Sequence, residues 1–340
     1  FSAEYGDKLS SVLDITYKRP LLTEASLSMS FLGVEAHAEG TTLHHRLSYL
    51  VGARYKNNKY ILGNMETKGV YQPNFTDVQG ILSYNVSPRL ELSAFGYYSR
   101  NSYSMIPTTR ETDFGNIQQS HRITIYFDGR ETSNYNTGLG AFTVNYSPNE
   151  DLNLKLIAST YSAVESENYD IMGQYWIGLL ETNPGSEQTG NVISNQGVGT
   201  YIEHARNDFY SQVFNIDHKG AYKNDQFTLK WGARYQHQYF DDFINEWEMI
   251  DSAGYSLPHP HDSIGSANPP HPLFNIQHLS KGHNELRINN ADAFVLNEWT
   301  FNTKNADVLT LSLGLRANYW GYNNEINISP RAGLAYKPNW

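Results

Sequence analysis

Gln226-Phe-Thr-Leu-Lys-Trp-Gly-Ala-Arg-Tyr-Gln-His-Gln-Tyr239 alternates along its whole length. Phe227, Leu229, Trp231, Ala233, Tyr235 and Tyr239 fall on one face, and Gln226, Thr228, Lys230, Arg234, Gln236 and Gln238 on the other. Successive side chains point to opposite faces only in a β-strand, so a sustained period of two predicts a strand with one apolar and one polar side. The pattern recurs. Residues 308–319 set Leu309, Leu311, Leu313 and Leu315 against Thr310, Ser312, Arg316 and Asn318. Residues 152–162 set Leu152, Leu154, Leu156 and Ala158 against Asn153, Lys155 and Ser159, and residues 43–55 set Leu43, Leu47, Tyr49, Val51, Ala53 and Tyr55 against His44, Arg46, Ser48 and Arg54. These runs exceed the roughly 5–6 residues of an ordinary strand. A tilted strand crossing the apolar zone of a bilayer needs about 9–11.

Between the strands lie tight polar turns: Ser87-Pro-Arg89, Ser147-Pro-Asn-Glu150, Lys223-Asn-Asp225 and Thr303-Lys-Asn-Ala-Asp307, with Lys337-Pro-Asn339 beginning a fifth. Pro, Asn and Asp suit such turns because they preset φ or bond their own backbone. A bulky residue precedes each: Tyr84, Tyr146, Tyr222, Phe301 and Tyr336. The other connections read as long polar loops over 104–132, 166–200 and 241–286. Short turns at one end and long loops at the other is the layout of an outer-membrane barrel, with aromatic girdles where the strands meet headgroups. About eleven or twelve strands are expected from residue 22 onward. Residues 118–131 read as a barrel strand or a hairpin arm, and Lys56–Met65 as a short helix in a connection.

Composition agrees. The chain of 340 residues holds 25 Tyr and 26 Gly, and its hydrophobic fraction is only 39 %. A wall with one lipid face and one wet face keeps average hydropathy low. No apolar run approaches the roughly 20 residues of a membrane helix; the longest is Tyr175-Trp-Ile-Gly-Leu-Leu180. A net charge of -10 argues against nucleic acid as a partner, since phosphates reward Lys and Arg. Without cysteine there is no disulfide framework, thiol chemistry or thiolate-held metal. No secretory leader is legible at the start, so the chain reads as a mature form or a fragment.

The first residues, Phe-Ser-Ala-Glu-Tyr-Gly-Asp-Lys-Leu-Ser-Ser-Val-Leu-Asp-Ile-Thr-Tyr-Lys-Arg-Pro20, carry a turn at Gly6, a β-rich run Val12–Tyr17 and a stop at Pro20. Tyr5-Gly6, Val12, Ile15, Thr16, Lys18 and Arg19 resemble the end of the plug domain of TonB-dependent outer-membrane receptors. Ser10-Ser11 departs from the glycine pair many members carry there. Phe75-Thr-Asp-Val-Gln-Gly80 and Asn327-Ile-Ser-Pro-Arg331 resemble strand starts of the same receptors. The resemblance implies an all-β antiparallel transmembrane barrel, with residues 1–20 closing the plug and 21–340 forming the first half of the barrel wall. It implies energised uptake of a nutrient such as a siderophore, glycan, peptide or cobalamin in the bacterial outer membrane. Its partners are membrane lipid, a TonB-type protein reached through a segment outside this chain, and in some cases a surface lipoprotein lid. A passive or adhesive barrel, or a soluble secreted β ligand-binding protein, is the competing reading.

Catalytic signals are absent: no Gly-x-Ser-x-Gly, phosphate loop, His-Glu-x-x-His or dinucleotide fingerprint is present, so the sequence reads as non-enzymatic and without a cofactor. His259 and His261 form a weak metal motif inside a Pro-rich stretch that reads more simply as a solvated loop. Tyr175, Trp176, Trp247, Tyr255 and Phe274 place aromatic faces in the expected loops, where they could stack on a substrate or pack among themselves. Parity points Arg46, Arg54, Asp77, Glu91, Arg234, Asp292, Glu298 and Arg316 into the lumen. Bracing the wall and anchoring the plug is their simplest role there.

Overall fold

A computed structural model describes residues 2–6, 11–62, 69–251, 275–302 and 308–338. The chain is all-β and antiparallel. In order the strands are β1 (Glu24–Ser30), β2 (Gly33–Thr42), β3 (Leu47–Asn57), β4 (Gly69–Tyr71), β5 (Asn74–Ser87), β6 (Leu90–Pro107) and β7 (Arg110–Gly115). There follow β8 (Ser120–Tyr146), β9 (Leu152–Leu180), β10 (Val192–Lys223), β11 (Phe227–Asp251), β12 (Asn275–Asn302), β13 (Val308–Trp320) and β14 (Glu325–Lys337). A single helical turn, α1 (Lys59–Leu62), sits in the connection where the sequence suggested one. Twelve strands follow one another in a single sheet from β1 to β14, while β4 pairs with β6 and β7 with β8 at its margin. The two end strands do not pair with each other in this order, so the described wall is open along its edges.

Opposed residues share a face, so the register traces each face across the sheet. One line runs Tyr84, Leu92, Val144, Leu156, His218, Ala233, Ala293, Ala317, Ile328. The next runs Asn85, Glu91, Asn145, Lys155, Lys219, Gly232, Phe294, Arg316, Ser329. The first face is apolar and uncovered: Leu313 and Leu315 are each 45 % exposed, Ile328 65 % and Leu334 71 %. The second is polar and carries the N-terminal segment. Its buried residues include Glu39, Asp77, Asp217 and Arg316. A soluble sandwich buries its leucines and wets its charges. Here the order is inverted, as lipid on one side and a filled lumen on the other require. This is the wall of an outer-membrane β-barrel.

The bulky residues ahead of the short turns all take the outer face. Leu309 lies opposite both Phe301 and Tyr336. Tyr222 meets Phe227 across a turn, with ring centroids 5.9 Å apart. They form a girdle at the short-turn end of the apolar band.

At the other end the structure corrects the expectation of long loops. Residues 120–132, 166–180, 192–200, 241–251 and 275–286 continue as strands. At about 3.4 Å per residue, the 32 residues of β10 reach on the order of 100 Å, several times the length needed to cross a bilayer. Beyond the lipid both faces are wet, so the contrast between faces disappears while the ladder continues. Residues 120–125 pair with β7 on one side and β9 on the other, and 126–131 continue β8 along β9, so the stretch is a hairpin arm at its outer end and a wall strand throughout. The third strand starts at Leu47 rather than residue 43. Leu43, His44 and His45 take left-handed φ of 54°, 53° and 64° in a tight turn.

Candidate functional site

Two regions of the inner face hold the chemistry. The first is the seat of the N-terminal segment. Ala3 is fully buried over Gly314 and Leu296, and a Cβ at position 314 would lie 2.6 Å from that of Ala3. Arg316 donates from Nη1 to the carbonyls of Ala3 and Glu4 at 3.3 and 3.2 Å, and its Nη2 pairs with Asp292. Arg331 donates to the carbonyls of Ser2 and Tyr5 at 2.6 and 2.7 Å. Lys219 pairs with Glu4 at 2.9 Å, which offsets the like charge of Lys155 directly opposite Lys219. Arg234 is paired with Asp217, and Glu298 takes Lys230 at 3.6 Å. A cavity of about 500 Å³ lies between the segment and this wall, lined by Tyr5, Asp14, Asp217, Arg234, Asp292 and Arg316 among others.

The same segment is held a second time near its end. Tyr17 donates to Gln79 at 2.8 Å and lies against Phe95, with centroids 5.4 Å apart. Lys18 pairs with Glu39 at 2.5 Å, and Arg19 with Glu91 at 2.6 Å. Next to these, Arg54 donates to Asp77 at 2.8 Å and lies over the Phe75 ring at 4.7 Å. Of the lumen candidates, Arg54, Asp77, Glu91, Arg234, Asp292, Glu298 and Arg316 therefore lie on the inner face. Arg46 does not: it closes the turn 43–46 at the sheet end and is exposed. Sequence reading did not single out Glu4, Lys18, Glu39, Asp217, Lys219 or Arg331 as a set. Their inward parity was legible, but their partners were not.

The seat yields a direct test. Gly314→Val is expected to displace residues 2–5, because the new side chain would occupy the space of Ala3. Gly333→Val is the matched control on the same face, since its Cβ would meet only Ser312, at 3.8 Å. Limited proteolysis of the folded protein should release the N-terminus in the first variant alone. Equal protection in both would remove Ala3 from the contact.

The second region is the inner face of the strand extensions, beyond the apolar band. Tyr175 points inward, with its ring against Gly199 where a Cβ would collide. Phe127 and Tyr201 meet edge to face at 6.5 Å, and Arg110 lies over Phe127 at 5.9 Å. Glu203 stands directly opposite Glu248, and Tyr169 opposite Glu131. Burial, with Glu248 adding to it, raises the Glu203 carboxyl above its ordinary range. Burial also raises the Tyr169 and Tyr201 hydroxyls, helped by the surrounding glutamates. Partial burial, with Glu131 and Tyr71 adding to it, pushes the half-buried Tyr103 hydroxyl up to about 12.

The other aromatic candidates are placed differently. Trp176 and Trp247 lie in strands β9 and β11, not in loops, and have outward parity. Trp247 stacks on His204 at 4.6 Å, and His204 pairs through Nδ1 with Asp170 at 2.5 Å. Asp170 also takes Arg206, so the cluster ties three neighbouring strands together on the outside. Tyr255, Phe274, His259 and His261 lie outside the described residues. Among those described, no group of His, Asp and Glu has metal-ligand geometry.

No protein-family model matches the chain, and no curated protein matches it. Solved structures similar to it include two outer-membrane barrels. One is the CymD monoaromatic hydrocarbon channel, at 9 % identity and a TM-score of 0.22 over 94 % of this chain and 86 % of that one. The other is the outer membrane protease OmpT from Escherichia coli, at 10 % identity and a TM-score of 0.22 over 94 % and 95 %. At these scores neither protein's activity is carried over to this chain. One of the two is a protease, against the sequence expectation that the chain is not an enzyme.

Proposed function

We propose that the chain is part of an outer-membrane receptor for energised, TonB-dependent uptake of a nutrient. In this reading residues 1–20 are the end of a plug and 21–340 the first half of a barrel around it. The observation that carries it is the double hold on the N-terminal segment, at residues 2–5 and again at 17–19. Arg316 and Arg331 grip main-chain carbonyls on one side, and Glu39 and Glu91 take Lys18 and Arg19 on the other. A segment laid inside the wall and fixed mostly by polar contacts is suited to being held at rest and displaced under load. The resemblance of Tyr5–Arg19 to plug ends supports the same reading. A TonB-type protein would supply the pull, and a surface lipoprotein lid is compatible with the wet outer strands.

The substrate would first meet the inner face of the strand extensions. Tyr103, Tyr169, Tyr175, Tyr201 and Phe127 offer rings that bury area at little entropic cost. Glu131, Glu203 and Glu248 disfavour an anion beside them, so a neutral or cationic solute fits this wall better.

The test uses the intact receptor in cells and the nutrient whose scarcity induces it. Dissipating the proton-motive force should stop uptake while leaving surface binding intact. Tyr201→Ala and Glu203→Lys should each lower binding about tenfold, the effect of losing roughly 1.4 kcal/mol. Uptake that continues without the proton-motive force would assign the barrel to the passive class.

A further inference from the structure

β12 has a neighbour on both sides over only part of its length. β11 flanks it from Asn275 to Trp299, but β13 flanks it only from Asn290 to Asn302. Where the second ladder stops, the Asn290 side chain accepts the N–H of Gly321 at 3.1 Å. The chain then turns back into β14, with Asn324 at a left-handed φ of 59°. Above this point, among the described residues, 275–289 pair with β11 alone. Alternate backbone N–H and C=O groups there have no strand partner, and such an edge is a template for another strand.

The outer face turns apolar towards this edge. One row across the register, from β8 to β12, is Asp128, Met172, Ile202, Met249, Ile276. The row below it is Arg130, Asp170, His204, Trp247, Leu279. Charge lies at the β8 end and apolar side chains at the β12 end. A bulge between Glu248 and Met249 keeps both Ile276 and Leu279 on the outer face, where they are 56 % and 58 % exposed. Lipid does not account for them. Phe227, at the short-turn girdle, and Met249 are separated by more than twice the roughly 9–11 residues that cross the apolar zone. An apolar patch held in water marks an interaction surface. Proline and lysine, which commonly block sheet edges, are absent from 275–280, whereas His283, Glu285 and Arg287 line the same edge lower down.

We propose that the upper edge of β12 receives an extended strand of a partner protein by sheet addition. The ladder supplies main-chain hydrogen bonds, and Trp247, Met249, Ile276 and Leu279 select apolar side chains at every second position of that strand. A second copy fits less well. Two copies in one membrane are related by an axis along the membrane normal. That axis would join the outer face of one wall to the inner face of the other and break the apolar strip. The inference rests on the topology of the wall and stands whether or not the barrel is an energised receptor.

The probe is a short fluorescent peptide in which valine and threonine alternate, added to the full-length protein in lipid vesicles. Saturable binding is expected. The same peptide with its backbone nitrogens methylated keeps the side chains but donates nothing to a ladder, and should bind at least about tenfold more weakly. Leu279→Lys puts a charge into the apolar strip and should lower affinity by about as much, whereas Glu285→Gln, lower on the same edge, should leave it unchanged. Heat-modified mobility confirms folding of each variant. Equal binding of the methylated peptide would mean that side chains adsorb to the face without strand pairing, and binding indifferent to Leu279→Lys would place the peptide elsewhere. Either result would overturn the proposal. So would a lack of saturable binding, which would show the edge already covered, by this chain itself or by a second copy; the latter would appear as a dimer in detergent that Leu279→Lys splits.

Discussion

Arg316→Leu is expected to loosen the N-terminal segment more than any other single change to the wall. The side chain is 5 % exposed and does two things at once. It neutralises Asp292 and donates to the carbonyls of Ala3 and Glu4. Removing one partner of a buried ion pair costs about 3–5 kcal/mol, because the other charge stays behind in a poor solvent. Arg234 is not a ready substitute, since it is already committed to Asp217. The measurement is urea-induced release of the segment, followed with a label at Ser11→Cys, against urea unfolding of the strands. Release should move to much lower urea while strand unfolding shifts little. Adding Asp292→Asn should recover the part of the loss that comes from the stranded carboxylate. It should not recover the carbonyl contacts, each of which is a charge-assisted bond worth about 1.5–3 kcal/mol. Release at an unchanged urea concentration in Arg316→Leu would mean that the segment is held elsewhere.

Much of this architecture is legible in sequence, and where it is not the cause is physical. The strands at 152–162, 226–239 and 308–319 could be read because lipid and lumen impose opposite demands on alternate residues. That contrast ends where the wall leaves the membrane. Ile171, Gly173 and Tyr175 face in while Asp170, Met172, Gln174 and Trp176 face out, and neither set is apolar enough to mark a face. The outer halves of β8 to β12 therefore look like loops in sequence although their ladders are continuous. The turn at 43–46 was hidden for another reason: its left-handed residues are Leu43, His44 and His45, none of which announces such a backbone as glycine does.

The site was half legible in the same sense. Parity placed Arg234, Asp292 and Arg316 inside, and all three are there. Which carboxylate each arginine takes depends on register. Asp292 lies 24 residues from Arg316 and reaches it only because β12 and β13 pair with Phe294 opposite Arg316. The grips on residues 2–5 lie still further from legibility. Arg316 and Arg331 hold carbonyl oxygens, which every residue possesses, so no side-chain pattern near the N-terminus encodes them.

The assignment of faces is tested most sharply on β13, where neighbouring residues differ in little but direction. Leu311 lies opposite Trp299 on one side and Leu334 on the other, all on the apolar face. Thr310 lies opposite Thr300 and Ala335 on the inner face. Leu311→Arg should destabilise the folded wall in lipid by about 2–4 kcal/mol if the site lies near the bilayer midplane. The cost falls towards the headgroups, where a long side chain can snorkel. Thr310→Arg places the same charge one residue away, towards water and the carboxylate of Glu298, and should cost far less. Thr310→Arg gives up a strand-favouring residue and Leu311→Arg does not, so a larger loss at Leu311 reports the face rather than the strand. The quantity to measure is the folding free energy in lipid vesicles by denaturant titration. Equal losses in the two variants would show that β13 does not separate lipid from lumen, and the outer face drawn here from Tyr84 to Ile328 would have to be reassigned.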